Sequence, residues 1–392
     1  MNCPTALEEP CEVYTRQRQI TIGLPKCDDP AERRFPLTPE GAAQLIDRGY
    51  RVLMQEDAAA TIHYADTTYT RVGVEIVSRR EALGCDIVVS LSGLSPMDIR
   101  QMRRGAMLLT LFHAACSSAP SLAQLLERHV IAVALDLVED SHGHTPFADI
   151  LAEIDGRAAV AIASSLLADA TRGKGILLGG VAGIIPCETL IIGSGIAACA
   201  AARSAVGLGA MVRMFDNDVY SLRRAVEELG PWVIASSLHP RTLANALRSA
   251  DVVINTPMAG PFKLNSMDVA AMKKGVLTFD ISTASDGSAF PSMTPVDLAM
   301  ASAIESSWAV SNRICYTHAG SAVARTAAMA LSNTLLTFMS DIVSGEGATN
   351  ALKLHPGLQR ATLTFLGKAV NPRVAELLRV RIVDIAIYLS LS

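Results

Sequence analysis

The residues Thr189 to Ile192 form a short apolar run that passes through Gly193-Ser194-Gly195 into the alanine-rich stretch Ala197 to Val206. A strand that turns on two glycines straight into a helix of small residues is the strongest constraint in the chain, because parallel α/β sheets use that turn where they bind dinucleotides. Gly193 permits the tight turn, Gly195 lets a pyrophosphate approach the backbone, and the small Ala198 lets helix and strand pack closely. With Ser194 and Ile196 between them, these residues open a helix whose free N–H groups and positive dipole end face the phosphates. A second strand, MVRMF, ends in Asp216, near the spacing from Gly193 at which a carboxylate meets the adenosine ribose. An acid there accepts from the 2′-hydroxyl and repels a 2′-phosphate. NAD is therefore the expected cofactor, with Arg213 on the same strand pulling the other way.

The same alternation recurs on both sides of this turn. ITIGLP (Ile20 to Pro25), TPEGAAQLIDRGY (Thr38 to Tyr50) and RVLMQE (Arg51 to Glu56) read as strand, helix, strand, with Thr38 as N-cap, Pro39 at the first helical position and Gly49 as the stop. DIVVSL, GAMLLTLF and VIAVALDLV continue the pattern up to Val138. A polar loop, EDSHGHTP, precedes a long helix expected over Ala152 to Gly173, and a second long helix of small residues, Ser321 to Val343, leads back from the later strands. The last forty residues read as terminal helices. The fold class is α/β, as two Rossmann-like doubly wound units with mostly parallel sheets joined by long helices.

Composition removes several classes of function. Half of the residues are hydrophobic and 18% are charged, which describes a folded chain with an aliphatic core. A net charge of -4 without a basic block excludes a nucleic-acid partner. The most apolar stretch, Gly175 to Met214, is broken by Glu188, Arg203 and Arg213, so no membrane span is expected. The first eighteen residues carry Glu8, Glu9 and Glu12 and lack an apolar h-region, which predicts a cytoplasmic protein. Eight cysteines lie scattered without a C-x-x-C pair, and His142 and His144 lack further ligands nearby, so buried thiols and no metal are expected. Asp136 and Glu139 sit at a strand end and receive no acid/base role. There is no G-x-S-x-G elbow for a serine hydrolase.

The segments IGLPKCDDPAERRFPLTPEGAAQLIDRGYRV, LLTLFHAA, ILAEIDGRAAV, GKGILLGGVAGI, IIGSGIAACAAARSAVGLGA and SAVARTAAMALSN occur together and in order. On these the chain resembles the alanine dehydrogenase and pyridine nucleotide transhydrogenase α-subunit family over about Gln19 to Val343, with GKGILLGGVAG closer to the dehydrogenases. The resemblance implies an N-terminal arm at 1–18, a discontinuous substrate domain at 19–151 and 322–392, and an NAD-binding Rossmann domain at 152–321. It also implies a homo-oligomer, a dimer or hexamer. It places the arginine that grips the substrate carboxylate on Arg34, beside Arg33, and the histidine that handles the proton on His113. Ser92 takes the place of a substrate-binding lysine. In DISTASDGSAF, Asp280 matches the first acid of the family segment and Ala284 stands where the catalytic aspartate belongs, with Asp286 two residues on. His318 takes the place of the asparagine that abuts the nicotinamide.

Losing a lysine and an aspartate together leaves the site's charge about unchanged, as in a site rebuilt for another substrate. The expected function is hydride transfer between NAD(H) and a small carboxylate-bearing amino, imino or oxo acid other than alanine or pyruvate, with Arg34 and Ser92 binding it and His113 or His318 handling the proton. Two alternatives stay open: an NAD-binding paralogue without redox turnover, and a soluble transhydrogenase α-like subunit.

Overall fold

The computed structural model describes residues 19–391 apart from 172, 259, 261, 283–288, 301–313 and 345–347. In chain order the strands are β1 (Thr21–Leu24), β2 (Arg51–Gln55), β3 (Glu75–Val77), β4 (Ile87–Val89), β5 (Met107–Thr110) and β6 (Ile131–Ala134). A second set follows: β7 (Glu188–Ile192), β8 (Met211–Asp216), β9 (Val233–Ser237), β10 (Val252–Asn255), β11 (Leu277–Asp280), β12 (Thr294–Asp297) and β13 (Ile314–Thr317). The chain ends with β14 (Thr362–Phe365) and β15 (Lys368–Ala369). Among the described residues they form two sheets, ordered β15-β14-β6-β5-β4-β1-β2-β3 and β12-β13-β11-β10-β7-β8-β9. Every pairing is parallel except those of β14 with β6 and with β15. The expected α/β class with two largely parallel sheets is what the chain adopts.

Burial explains the strand composition. All five residues of β7 and all four of β10 are buried, as strands covered by helices on both faces must be. The helix Pro39–Asp47 starts as its sequence predicts: the Thr38 hydroxyl accepts the Gly41 N–H at 3.3 Å, and Gly49 closes the turn at φ +95°. The long helix is Pro146–Ala168, displaced toward the N-terminus from its expected span because Pro146 takes the first helical position. Its first turns give Phe147 and Leu151 to the core of the first sheet, and its later turns give Ala158, Ala159, Val160 and Ala163 to that of the second. Ala324, Ala328, Leu331 and Leu335 of the helix Ala324–Ser344, at i, i+4, i+7 and i+11, pack into the first core. The helix Pro146–Ala168 thus ties the two sheets together, and Ala324–Ser344 packs against it.

The C-terminal region departs from the helical expectation. The helices Ala348–Leu354, Pro356–Ala361, Pro372–Leu378 and Ile385–Leu391 are interrupted by the hairpin of β14 and β15. Leu366 and Gly367, at φ +47° and +77°, make the tight turn that antiparallel strands need. β14 is wholly buried against β6 and extends the first sheet.

Candidate functional site

In a doubly wound sheet, ligands bind at the carboxyl ends of the strands, where the strand order reverses. The second sheet reverses between β7 and β10, and the first between β1 and β4. The Gly193 turn leaves β7 and the loop carrying Arg34 leaves β1, so both motifs emerge at switch points.

Gly193 has φ +107°, and a Cβ there would lie 2.1 Å from the Thr256 hydroxyl. Only glycine fits. Gly195 caps the helix Ile196–Gly207 in an extended conformation with no side-chain cap, and a Cβ there would meet nothing nearer than the Pro257 carbonyl at 3.8 Å. The cradle in front of the helix is open, and among the described residues its first N–H groups have no side-chain acceptor. Ser194 is buried and its hydroxyl donates to Asp216 Oδ2 at 2.7 Å, while Asp218 N–H donates to Oδ1 at 3.0 Å. These bonds fix the carboxylate at the end of β8 and leave each oxygen a further lone pair. Ile196 is exposed at the helix start, and Ala198 is buried against the strand. Arg213 lies three residues before Asp216, about 10 Å along the strand, and pairs with Glu188 at 2.8 Å. These residues fit a dinucleotide: a glycine cradle at an uncapped helix start with a fixed carboxylate beyond it.

Arg34 is held by Glu32. Its Nε–H and Nη2–H donate to the two Glu32 carboxylate oxygens at 2.8 and 2.5 Å, a bidentate pair on one edge of the guanidinium. Among the described residues, three of the five N–H donors, both on Nη1 and the second on Nη2, have no partner. Burial depresses the guanidinium's proton affinity, but the bond to Glu32 and the charges of Glu32, Asp155 and Asp136 more than reverse it. Arg34 is a permanent cation.

His113 lies exposed in the short helix Phe112–Cys116 that leaves β5. Directly before it, the Phe112 N–H donates to Asp136 Oδ1 at 2.7 Å. Burial pushes the Asp136 carboxyl up, against the opposing pull of that N–H, Arg34 and His113. Asp155, on the long helix, accepts the Gly320 N–H at 2.8 Å. Its carboxyl too is pushed up by burial, with Arg34, the Gly320 N–H and His318 opposing. His318 stands at the end of β13 in a left-handed conformation, φ +55°, with Nδ1 3.0 Å from Asp297 Oδ2. Ser92 is buried after β4; burial pushes the Cys27 thiol up, the Ser92 side chain pulls it down, and that thiol donates to the Asp29 carbonyl at 3.5 Å. The charges of Arg34 and His113 both act on Asp136, and those of Arg34 and His318 both act on Asp155.

Asp136 and Asp155, on two other elements, act on Arg34 through their charges, and sequence reasoning gave them no part. Asp155 was hidden by its surroundings: Glu153 and Arg157, four residues apart, pair at 2.7 Å on the outer face, and Asp155 between them turns inward. Asp280 serves the backbone. Its carboxylate accepts from Asn255 Nδ2 at 3.0 Å, from the Ser282 hydroxyl at 2.6 Å and from the Ala289 N–H at 2.9 Å, fastening the ends of β10 and β11. Ala284 and Asp286 lie outside the described residues. The six described cysteines are free thiols, and among the described residues no group of His, Cys, Asp or Glu has the spacing to hold a metal. No helix among the described residues is long and apolar enough to cross a membrane.

Comparison with known proteins agrees with this arrangement. The family model "Alanine dehydrogenase/PNT, N-terminal domain" matches residues 23–155, and "Alanine dehydrogenase/PNT, C-terminal domain" matches 159–372. An alanine dehydrogenase of Mycolicibacterium smegmatis is 29% identical over 379 residues, covering 95% of this chain and 100% of that protein. That of Bacillus subtilis is 30% identical over 364 residues, 91% of this chain and 94% of the relative. Among solved structures, an L-alanine dehydrogenase superposes with a TM-score of 0.79 at 24% identity, over 92% of this chain and 99% of its own. A transhydrogenase from Sinorhizobium meliloti superposes with a TM-score of 0.71 at 19% identity, over 90% and 99%. These two likenesses are of fold. With the family's two models covering both sheets and the long helices between them, the chain belongs to the alanine dehydrogenase/PNT family of nicotinamide-nucleotide oxidoreductases.

Proposed function

We propose that the protein is an NAD-dependent oxidoreductase of the alanine dehydrogenase type, acting on a small amino, imino or oxo acid other than alanine or pyruvate. The observation that carries this reading is the orientation of Arg34: Glu32 occupies one edge of the guanidinium and leaves the other free for a ligand carboxylate. Asp216, with Arg213 engaged by Glu188 at the far end of the strand, favours a ribose bearing a free 2′-hydroxyl. When bound, the nicotinamide supplies the two-electron acceptor or donor.

The chain's own residues bind, orient and move protons. Arg34 holds the substrate carboxylate through two parallel N–H donors. His113, fixed in place by the bond from Phe112 N–H to Asp136, exchanges the proton at the substrate nitrogen or oxygen. Asp155, whose charge acts on Arg34, is suited to a cationic nitrogen lying beside the carboxylate that Arg34 holds. His318, with Nδ1 turned to Asp297, is the second candidate for proton exchange. Ser92 offers no charge where the family resemblance implies a lysine, which weakens the hold on pyruvate and calls for a different ligand.

Steady-state NADH formation across the amino acids, and NADH consumption with their 2-oxo acids and ammonium, tests the proposal. One pair is expected to turn over at about 1 s⁻¹ or faster, and R34A to lose that activity. Alanine turning over at such a rate would sink the claim of a different substrate.

A further inference from the structure

We propose that the substrate is a dicarboxylic amino or imino acid, whose second carboxylate enters a cationic cavity beside Arg34 that Lys26 and Arg33 line. This rests on the reading of Arg34 as the holder of the first carboxylate.

A cavity of about 350 Å³ opens where β1 and β2 end, bordered by Lys26, Cys27, Arg33, Arg34, Asp57 and Thr61. Its volume lies within the roughly 300–1,000 Å³ of small-molecule sites. Three cations face one acid across it. Arg34 already has Glu32 as counter-ion. Among the described residues the other two have none: Lys26 is exposed and its ammonium makes no ion pair, and Arg33 gives Nη1–H to the Ala299 carbonyl at 3.2 Å, which satisfies a donor without neutralising the charge. Cations brought together in a concave site without counter-ions repel one another and attract an anion.

The surroundings give that anion a direction. Asp136 and Asp155 do not border this cavity, but their charges act on Arg34, so around it they oppose further negative charge and favour a cationic nitrogen. A ligand gripped at Arg34 can therefore extend into the cavity toward the ammonium of Lys26 and the guanidinium of Arg33 and keep its nitrogen outside it, within the influence of the two acids. The order acid, carboxylate holder, base matches an amino acid whose side chain ends in an anion. Cys27 links this cavity to Ser92, since it borders the cavity while the Ser92 side chain acts on its thiol. A serine in place of a long cationic side chain leaves room there and moves the positive charge toward Lys26 and Arg33.

The test is calorimetric titration of the NADH-saturated full-length protein with two matched pairs: L-glutamate against L-glutamine, and L-aspartate against L-asparagine. Each pair keeps its shape and changes only the distal charge. At least one acid is expected to bind about tenfold or more tighter than its amide, with the ratio shrinking as salt is raised. K26M is expected to bring the ratio below about threefold and K26R to restore it. Both substitutions leave intact the backbone bonds of residue 26, from its N–H to Gln55 and from Arg79 to its carbonyl. Acids binding no better than their amides, or none of the four binding, overturns the inference. R34A separates the two readings: it is expected to lose acid and amide alike, and R34A that binds both like the wild type overturns the reading of Arg34 instead.

Discussion

At the scale of single residues, the site is built of charges that the fold holds at a cost. Asp155 is the clearest case, because burial keeps its folded carboxyl above the value it has in the unfolded chain. Between those two values the folded protein binds the extra proton, so its stability falls as pH rises through the window. Asn at this position retains an oxygen for the Gly320 N–H and removes the charge. D155N is expected to melt at a higher temperature than the wild type at about pH 7, with the gap closing toward about pH 4, while substrate affinity falls. A wild type more stable than D155N at neutral pH would make Asp155 a structural group. Glu32 works in the opposite sense, since it pairs with a cation that has to stay ordered. E32Q is expected to raise the KM for the carboxylate substrate about tenfold and to leave NADH affinity within about twofold, measured by steady-state kinetics and fluorescence titration. Arg34, His113 and Ser92 could be singled out as candidates because they sit in segments whose order resembles a known family. Asp136 and Asp155 were not, because an acid at a strand end or in an alanine-rich helix looks the same in sequence whether it meets water or an arginine from another element.

At the scale of elements, two glycines of one turn have different duties that the structure separates. Gly193 serves the fold: its φ of +107° and the 2.1 Å approach to Thr256 leave no room for a methyl group. G193A is expected to cost about 1–3 kcal/mol and to lower the melting temperature by several degrees. Gly195 has an ordinary backbone conformation and open space around it, so G195A is expected to melt within about a degree of the wild type and yet bind NADH at least about tenfold more weakly. Equal loss of stability in both variants would contradict that division. The strand, turn and helix around these glycines were readable because burial on both sides gives the strand one unbroken apolar run. The hairpin of β14 and β15 carried a readable signal too, TLTF before Leu366-Gly367, but β14 is buried on both faces and so lacks the polar alternation that marks a half-exposed strand. The start of the long helix was misplaced because no side-chain cap marks it: Thr145 makes no capping bond, and Pro146 at the first helical position is the one local signal.

At the scale of the whole molecule, the loop that carries Arg34 is fastened to the returning segment of the chain. The Ser321 hydroxyl donates to the Ala31 carbonyl at 2.7 Å and accepts the Arg33 N–H at 2.9 Å, while the neighbouring Gly320 N–H reaches Asp155. The position of Arg34 therefore depends on contacts between segments some 290 residues apart in sequence, which no local pattern announces. One large surface feature lies outside this arrangement. Leu177, Val181, Ile184 and Ile185, in the glycine-rich segment before β7, are 64%, 52%, 67% and 83% exposed. Val181 and Ile184 pair in an isolated bridge, so the segment folds back on itself and still presents its apolar side chains outward. Contiguous apolar surface of this kind on a folded chain marks a contact, and a second copy of the chain is the occupant that the family resemblance implies. Sedimentation velocity at about 10 μM, a concentration at which an interface of standard size is occupied, is expected to give two or more 41.5 kDa chains per particle. Replacing Ile184 and Ile185 by Asp is expected to shift the mass toward a single chain without lowering the melting temperature of the isolated subunit, because neither side chain contributes to either core. A wild type that sediments as one chain would remove the assembly and leave this segment without a role.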